Sequence, residues 1–205
     1  MYLRLKNKWE NLGIANAILA SKAPIKLDTH LLTALISFWS TTLNTFMFSE
    51  GFLSPTLMDV SAMLSLPIKG IPIHHGMKCQ QQPAIDIDTH GTTLTYTKFM
   101  QKYKKHSTDL ITFEEETCFY LFWLCKFLIN SSSKRIVTYY MPIAMALANN
   151  QKLALAPFFL GFVYRSMFLF TTEPKDSIGG PFMVYPTLGL CLFPTACPKT
   201  KSFSS

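Results

Sequence analysis

One short segment with strong start and stop signals, SPTLMDVSAMLSLPIKG at residues 54–70, constrains the fold of this chain most. Thr56 and Asp59 have the spacing of a capping box, in which each side chain accepts a backbone N–H from the other residue at a helix start. Pro67 ends the helix, because proline lacks an N–H and disfavours helical backbone in the preceding residue. Gly70 is predicted to shape the next turn. The stripe predicted to face the core consists of Leu57, Val60, Met63 and Leu64.

Two helices are predicted before this segment from apolar residues at three- and four-residue steps. The first covers about residues 2–20, and the second, which Asp28 is expected to cap, runs to about Trp39. The residues expected to line one side of the first helix are Trp9, Leu12, Ile14 and Ile18.

Four helices are predicted after it, at about 96–105, 112–127, 142–148 and 152–168. Thr112 and Glu115 have the spacing of a second capping box, and Pro142 suits a helix start. In the last helix, Pro157 is expected to cause a kink or to lie in the first turn, and Gly161 to mark a close packing point.

Extended structure is predicted in two short regions. Phe46 and Phe48 alternate before Gly51, which indicates a hairpin arm near 44–50, and the polar residues 71–95 read as irregular or extended. The sequence therefore predicts a mainly α fold: a helical globular domain over 1–186, followed by a divergent, disordered tail over 187–205.

The composition favours a protein with partners. Hydrophobic residues make up 49% of the chain and charged residues 15%, so the surface should be adhesive. The net charge of +7 permits contact with nucleic acid, for which the candidate residues lie in 98–105 and 134–135. A solvated loop is the alternative at each of these clusters. The basic residues concerned are Lys98, Lys102, Lys104, Lys105, Lys134 and Arg135.

Residues suited to catalysis or metal binding occur without the partners that such chemistry needs. The five cysteines include no C-x-x-C pair, which indicates buried thiols in a reducing compartment. We therefore predict no catalytic, cofactor or metal site. The isolated candidates, each expected to be solvated, are His74, His75, His90, Asp86, Asp88 and the pair Ser131 and Lys134.

The last predicted helix is apolar enough to raise the question of a membrane span. Pro157 and Arg165 interrupt it, and a central arginine is costly in lipid, so we expect a buried helix and no membrane association. Within an apolar helix, Arg165 must form an ion pair or reach water. A contact with a partner or an anion is the functional alternative for Tyr164 and Arg165.

Several blocks in order resemble the plant mobile domain, a family known from transposable elements and from plant proteins of the Maintenance-of-Meristems type. LLTALISFWSTTLNTFMFSEG resembles its tryptophan, Thr-Asn-Thr-Phe-like run and acidic-glycine turn, and residues 54–70 resemble its Thr-Leu-x-Asp-Val and Leu-Pro motif. Two later helical blocks resemble those that end in Tyr-Arg, and IGGPFMV resembles the next block. The residues that carry the resemblance are Trp39, Thr45, Phe46, Gly51, Thr56, Leu57, Asp59, Val60, Leu66, Pro67, Gly70, Tyr164 and Arg165.

The chain departs from the family pattern in three places. Ser65 stands where glycine is usual, which suggests a different helix cap, and Met47 replaces a histidine. After Val184 the family's continuation is replaced by YPTLGLCLFPTACPKTKSFSS, so we expect a copy shortened at its C-terminus.

The resemblance implies a nuclear protein, or otherwise a cytoplasmic one, linked to meristem maintenance, genome stability and transposon silencing. Such proteins are often labelled aminotransferase-like, but the sequence offers no pyridoxal-phosphate motif and no metallophosphatase motif. We therefore expect a non-enzymatic interaction domain with a nuclear protein partner, a phosphatase among the candidates. Nucleic-acid binding is the alternative.

Overall fold

The computed structural model describes residues 2–22, 29–74, 95–103, 111–129 and 135–172. Its α-helices are α1 Tyr2–Leu12, α2 Ala15–Ala20, α3 Thr29–Ser37, α4 Leu57–Leu64, α5 Tyr96–Tyr103, α6 Phe113–Trp123, α7 Met141–Ala148 and α8 Leu155–Thr172. A π-helical turn, Leu124–Leu128, extends α6, and a 3₁₀ turn, Thr138–Tyr140, precedes α7. The strands are β1 Trp39–Ser40, β2 Thr45–Phe48 and β3 Gly51–Leu53. The prediction of a mainly α fold is confirmed.

The three strands form a small antiparallel sheet in the order β1-β2-β3. Trp39 pairs with Phe46, and Met47 pairs with Phe52. The extended region predicted near 44–50 is therefore confirmed as the centre of this sheet. Of the region predicted near 71–95, Ile71 forms a parallel bridge with Leu153, and residues 75–94 lie outside the described part. The predicted tail, 187–205, also lies outside it.

The core is built around α6 and α7, which pack along each other, and α8 packs on α3 and α4. Large aromatic side chains from every part of the described chain converge there, because these groups bury the most apolar surface. The largest fully buried side chains include Trp9, Phe46, Phe99, Tyr120, Trp123 and Phe159.

The N-terminal segment is two helices, so the prediction of one helix over 2–20 is wrong. Gly13 has a positive φ of 73°. Its N–H donates to Glu10 O at 3.1 Å, and the N–H of Ile14 donates to Trp9 O at 2.9 Å. These bonds form a Schellman motif, which ends α1 at Leu12. The predicted apolar residues are nevertheless all buried: Trp9, Leu12, Ile14 and Ile18.

Other boundaries and packing predictions also needed correction. α3 ends at Ser37, and Trp39 belongs to β1 because it pairs with Phe46. The cap predicted at Asp28 lies outside the described residues. Pro157 lies in the first turn of α8, where its missing N–H has no helical partner to lose. Gly161 is exposed, and a Cβ there would meet nothing within 4 Å, so it is not a packing point.

A partly buried ion pair that the sequence analysis missed ties α1 to α6 and α7. Lys8 Nζ lies 2.7 Å from Glu116 Oε1 and donates to Ala148 O at 2.6 Å. Tyr120 donates its hydroxyl to Glu116 Oε1 at 2.9 Å, and Trp9 Nε1 donates to Tyr120 Oη at 3.1 Å. Burial raises the pKa of Tyr120, and the nearby carboxylate adds to this effect. The neutral phenol therefore remains a donor to the carboxylate.

Candidate interaction surface

The start of α4 carries the predicted capping box. Asp59 N–H donates to Thr56 Oγ1 at 3.2 Å, and Thr56 N–H donates to Asp59 Oδ2 at 2.8 Å. Val60 and Leu64 are buried, and Leu57 is half-buried. These family-motif residues therefore fix the direction of α4, which is a structural role.

Gly70 lies where the backbone after α4 crosses the segment before α8. Ile71 N–H donates to Lys152 O at 2.7 Å, and Ala154 N–H donates to Ile71 O at 3.0 Å. A Cβ on Gly70 would lie 2.6 Å from the Lys152 carbonyl oxygen, and its φ is +152°. Pro67 O accepts the N–H of Ala156 at 3.0 Å. The second half of the motif therefore joins α4 to α8 through backbone contacts.

Tyr164 connects α8 to the sheet. Its ring centroid is 5.9 Å from that of Trp39, which packs edge-on against Phe46 at 4.9 Å. Its hydroxyl donates to Pro55 O at 2.7 Å and lies 2.9 Å from Ser54 Oγ. Residues that are far apart in the sequence thus meet at one junction, which we call the aromatic junction: Trp39, Phe46, Ser54, Pro55 and Tyr164.

The strand connections are held by the Asn-Thr-Phe run. Asn44 has a positive φ of 52°, and its carbonyl accepts the hydroxyl of Ser54 at 3.0 Å. Thr45 Oγ1 donates to Leu53 O at 2.8 Å. Gly51 has φ +141°, a value that L side chains rarely adopt, at the turn into β3. These residues set the shape of the sheet.

The sheet exposes large apolar side chains to solvent. Phe52 is 66% exposed, and Met47, directly opposite it on β2, is 48% exposed. Trp39 and Phe46, which pair with each other, are buried, so the sheet has one covered and one open side. Leu53 pairs with Phe46 on the covered side, but it remains 42% exposed. We call the exposed apolar residues of the sheet and the chain around it the hairpin apolar surface: Phe38, Leu43, Met47, Phe52 and Leu53.

Arg165 is exposed, and no described residue forms an ion pair with it. It reaches water, which was one of the two structural alternatives for an arginine in an apolar helix. Burial raises the pKa of the neighbouring Tyr140 to about 12, and the positive charge of Arg165 opposes that rise. The functional alternative, contact with an anion or partner, stays a prediction.

The predicted basic clusters are partly described. Lys98 and Lys102 are exposed on α5, and Arg135 is exposed and pairs with Thr95 in an isolated antiparallel bridge. The bridge places Arg135 beside the start of α5, three residues before Lys98. Lys104, Lys105 and Lys134 lie outside the described residues.

The described residues form no arrangement that suggests catalysis. Among them, no three His, Cys, Asp or Glu side chains are grouped as metal ligands. Cys118 and Cys125 are buried thiols, and burial raises the pKa of the Cys125 thiol to about 11, so it is a poor nucleophile. His74 is exposed. Outside the described residues lie His75, His90, Asp86, Asp88 and Ser131.

α8 is the one described helix that is long and apolar enough to cross a membrane. A third of its apolar window is buried against the rest of the protein. Core helices of soluble proteins pass the same test, so this is weak evidence for a span. The absence of membrane association stays a prediction.

The chain matches a known protein family. A family model described as Plant mobile domain matches residues 13–185, which is most of the chain. This range includes the capping box of α4, the aromatic junction and the hairpin apolar surface. No curated protein and no solved structure matches the chain.

Proposed function

Because the chain belongs to the plant mobile domain family, a transposon-related plant domain, we propose that it is a non-enzymatic nuclear domain that binds another protein. The resemblance supports roles in meristem maintenance, genome stability and transposon silencing, with a phosphatase among the candidate partners. The observation that carries the binding proposal is the hairpin apolar surface.

The hairpin apolar surface is a poor surface for a protein that acts alone. Full burial of a side chain such as Phe, Leu or Met contributes roughly 1.5–3 kcal/mol, and these exposed residues forgo about half of that gain. Met47 and Phe52 are paired across two strands, and Phe38 and Leu43 lie in the segments that flank β1. Clustered apolar exposure of this kind is typical of interaction sites.

The geometry of β3 indicates the form of the partner. β3 is an edge strand that pairs with β2 alone within the described part of the chain, and Gly51, Phe52 and Leu53 are all exposed. Its three residues contain neither the lysine nor the proline that blocks pairing on many natural edge strands, so its shortness is the protection that this strand has. We propose that the partner contributes an extended apolar segment, which adds a strand beside β3 and covers Phe52.

The absence of enzymatic activity is part of the same proposal. A pyridoxal-phosphate enzyme needs a lysine amine that is free to form a Schiff base. The amine of Lys8, which is partly buried, instead contacts Glu116 and Ala148 O. This lysine therefore gives no support to the aminotransferase-like label.

Site-specific photo-crosslinking tests the proposal. A photoreactive phenylalanine analogue replaces Phe52, and a matched variant carries it at Tyr139, which is 60% exposed. Both proteins are irradiated in plant nuclear extract, and the crosslinked peptides are sequenced by mass spectrometry. We expect one partner whose apolar segment crosslinks at position 52 and not at 139, and whose capture is lost in M47S/F52S.

Equal crosslinking at both positions, or no crosslink specific to position 52, would overturn the proposed surface. Capture that survives M47S/F52S would do the same, provided that circular dichroism shows the variant to be folded.

A further inference from the structure

The side of α8 that faces away from the core is apolar. At about 100° per residue, the exposed residues of this helix fall within one sector roughly 120° wide. They are Pro157, Gly161, Arg165, Phe168, Leu169 and Thr172. Arg165 is the single charged residue of the whole helix. A surface helix normally carries polar and charged residues on its outer side, and a helix that is apolar all round is normally buried. The outer side of α8 therefore needs a cover.

Aromatic contacts continue this side of α8 towards its start. The ring centroids of Phe158 and Phe162 lie 5.1 Å apart, and that of Phe162 lies 6.0 Å from that of Tyr140. Phe158 and Phe162 are half-buried, whereas Phe168 is 47% exposed and Leu169 is 37% exposed. Apolar exposure clustered in this way is typical of interaction sites. We call Phe158, Phe162, Phe168 and Leu169 the outer surface of α8.

The chain that follows α8 has the composition of a cover. Residues 173–180, EPKDSIGG, are mostly polar and contain a proline and two glycines, which is typical of a turn. Residues 181–198, by contrast, contain no charged residue. Chain segments that stay disordered are usually poor in apolar residues and rich in charge. The apolar segment after the turn therefore gains from burial, as does the outer surface of α8.

The connection is long enough for this segment to return along α8. Residues 173–187, which lie between α8 and the run LGLCLF, can span up to roughly 50 Å when extended. The outer surface of α8 from Phe158 to Leu169 is roughly 17 Å long. Such a tether also gives an effective concentration on the order of millimolar, which a second copy in dilute solution does not reach. A segment of this chain is therefore favoured over a second copy as the cover.

Alternation within the segment indicates which of its sides would face α8. In LGLCLF, residues 188–193, the three leucines occupy alternate positions, and alternate residues of an extended chain lie on the same side. An extended chain also offers carbonyl groups that no helix uses. The guanidinium of Arg165, which is exposed in the same sector of α8, has five donors with which to bond them.

We propose that residues 188–193 dock in extended form on the outer surface of α8, with Leu188, Leu190 and Leu192 against it. The docking orders the start of the tail that the sequence predicts to be disordered. It uses residues separate from the hairpin apolar surface, and it therefore goes beyond the proposed protein binding and does not depend on it.

Carbene footprinting of the full chain tests the proposal, because a photolysed diazirine probe labels side chains according to their exposure. The test variant is L188S/L190S/L192S. The matched control, G189S/C191S/F193S, changes the same number of residues on the opposite side of the same segment. We expect labelling of the outer surface of α8 to rise about threefold in the test variant and to stay unchanged in the control. Labelling of Met58, which is 68% exposed on α4, should be equal in all three proteins.

Equal labelling of the outer surface of α8 in wild type and the test variant would overturn the proposal, as would an equal rise in both variants. Labelling that rises on dilution of the wild type from 50 to 1 µM would assign the cover to a second copy instead. Protection that appears only with phosphatidylcholine vesicles would assign it to a membrane, and either result would also overturn the proposal.

Thermal unfolding by circular dichroism shows whether each variant is folded. If the test variant is not, the single variant L190S is compared with C191S by the same footprinting. A rise in labelling of the outer surface of α8 in L190S alone would support the docking, and unchanged labelling in both would overturn it.

Discussion

Gly70 is the residue whose identity the backbone dictates most strongly. Any side chain there would adopt an unfavourable φ and press a Cβ against the Lys152–Ala154 backbone. Backbone has no alternative rotamer with which to move away, so the segment before α8 would have to shift. The turn-shaping role expected from the sequence is therefore secondary to a close approach between two chain segments.

G70A is expected to lower the free energy of unfolding by about 3 kcal/mol, because strain and overpacking each cost roughly 1–3 kcal/mol. The matched control is G161A on α8, where a Cβ meets nothing within 4 Å. That change should raise stability by about 0.5–1 kcal/mol, since alanine is a better helix former. Urea unfolding measures the free energy of unfolding of both variants. A value for G70A within 0.5 kcal/mol of wild type would contradict the predicted clash of a Cβ with the Lys152–Ala154 backbone.

Cys125 makes stability depend on pH in the alkaline range. Burial raises its pKa from 9.0 to about 11 in the folded chain. The unfolded chain therefore loses this proton first as pH rises, so stability falls between about pH 9 and 11. The full loss attributable to this thiol is about 3 kcal/mol. Urea unfolding at pH 8, 9.5 and 10.5 should show that the free energy of unfolding falls less with pH for C125A than for wild type. Equal falls in the two proteins would refute the assignment of this pH dependence to Cys125.

At the scale of elements, α4 shows how departures from the family pattern are accommodated. Ser65, where glycine is usual, adopts the left-handed conformation with φ 52° and ψ 37° that a helix-ending glycine would take. The same cap geometry is thus reached with a residue that pays a steric cost for it. The sequence predicted a different helix cap at this position. The residue differs from the family pattern, but the left-handed backbone conformation is the one that glycine would adopt.

S65G is expected to stabilise the protein by about 1 kcal/mol, because glycine adopts the left-handed conformation without that cost. A62G, an exposed position inside α4, is the matched control and should destabilise by about 1 kcal/mol. Thermal unfolding followed by circular dichroism compares the two. A neutral or negative effect of S65G would mean that the serine side chain has a compensating role.

The sequence predicted the helix boundaries well where a complete capping motif or a proline marks the helix start. The capping box at Thr56 and Asp59 and the proline at Pro142 placed α4 and α7 correctly, since caps act within a few residues. For the second box, the described contacts show Thr112 Oγ1 accepting the N–H of Glu115. A single glycine is a weaker signal than a capping box. The helix end at Gly13, which has a positive φ, was therefore not predicted.

Long-range partners could not be read from the sequence. Glu116 follows two other glutamates and looks equally solvated, yet it is buried against Lys8, which is 108 residues away. Trp39 fits the helical spacing of α3, and its pairing with Phe46 instead decides its structure.

At the scale of the whole molecule, the aromatic junction is what ties the sheet to the helical body. Tyr164 reaches from α8 to the segment between β3 and α4 with its hydroxyl, and to β1 with its ring. The hairpin apolar surface is therefore presented on a supported sheet. An isolated hairpin is marginal in water, so this support matters for any partner that recognises β3.

Y164F keeps the ring and removes the hydroxyl, so the expected loss is about 1–2 kcal/mol from the unpaired Pro55 carbonyl. Hydrogen exchange should become faster in β2 and β3 than in α6. Y139F, at an exposed tyrosine, is the control and should stay within about 0.5 kcal/mol of wild type. Unchanged exchange in the sheet would show that the junction does not support it.

The π-helical turn has a consequence for how this chain tolerates insertions and deletions. At the end of this turn, the N–H of Ile129 donates to Leu124 O. This bond spans five residues, whereas an α-helical bond spans four. The extra residue acts as a spacer, because each residue turns a helix by about 100°. Losing one residue at the start of this turn would rotate the remaining residues and carry the ammonium group of Lys126 away from the rings of Phe122 and Phe127, whose centroids lie 5.2 and 5.0 Å from it. A change of one in chain length would therefore relocate a surface charge while leaving every lysine and arginine in the sequence.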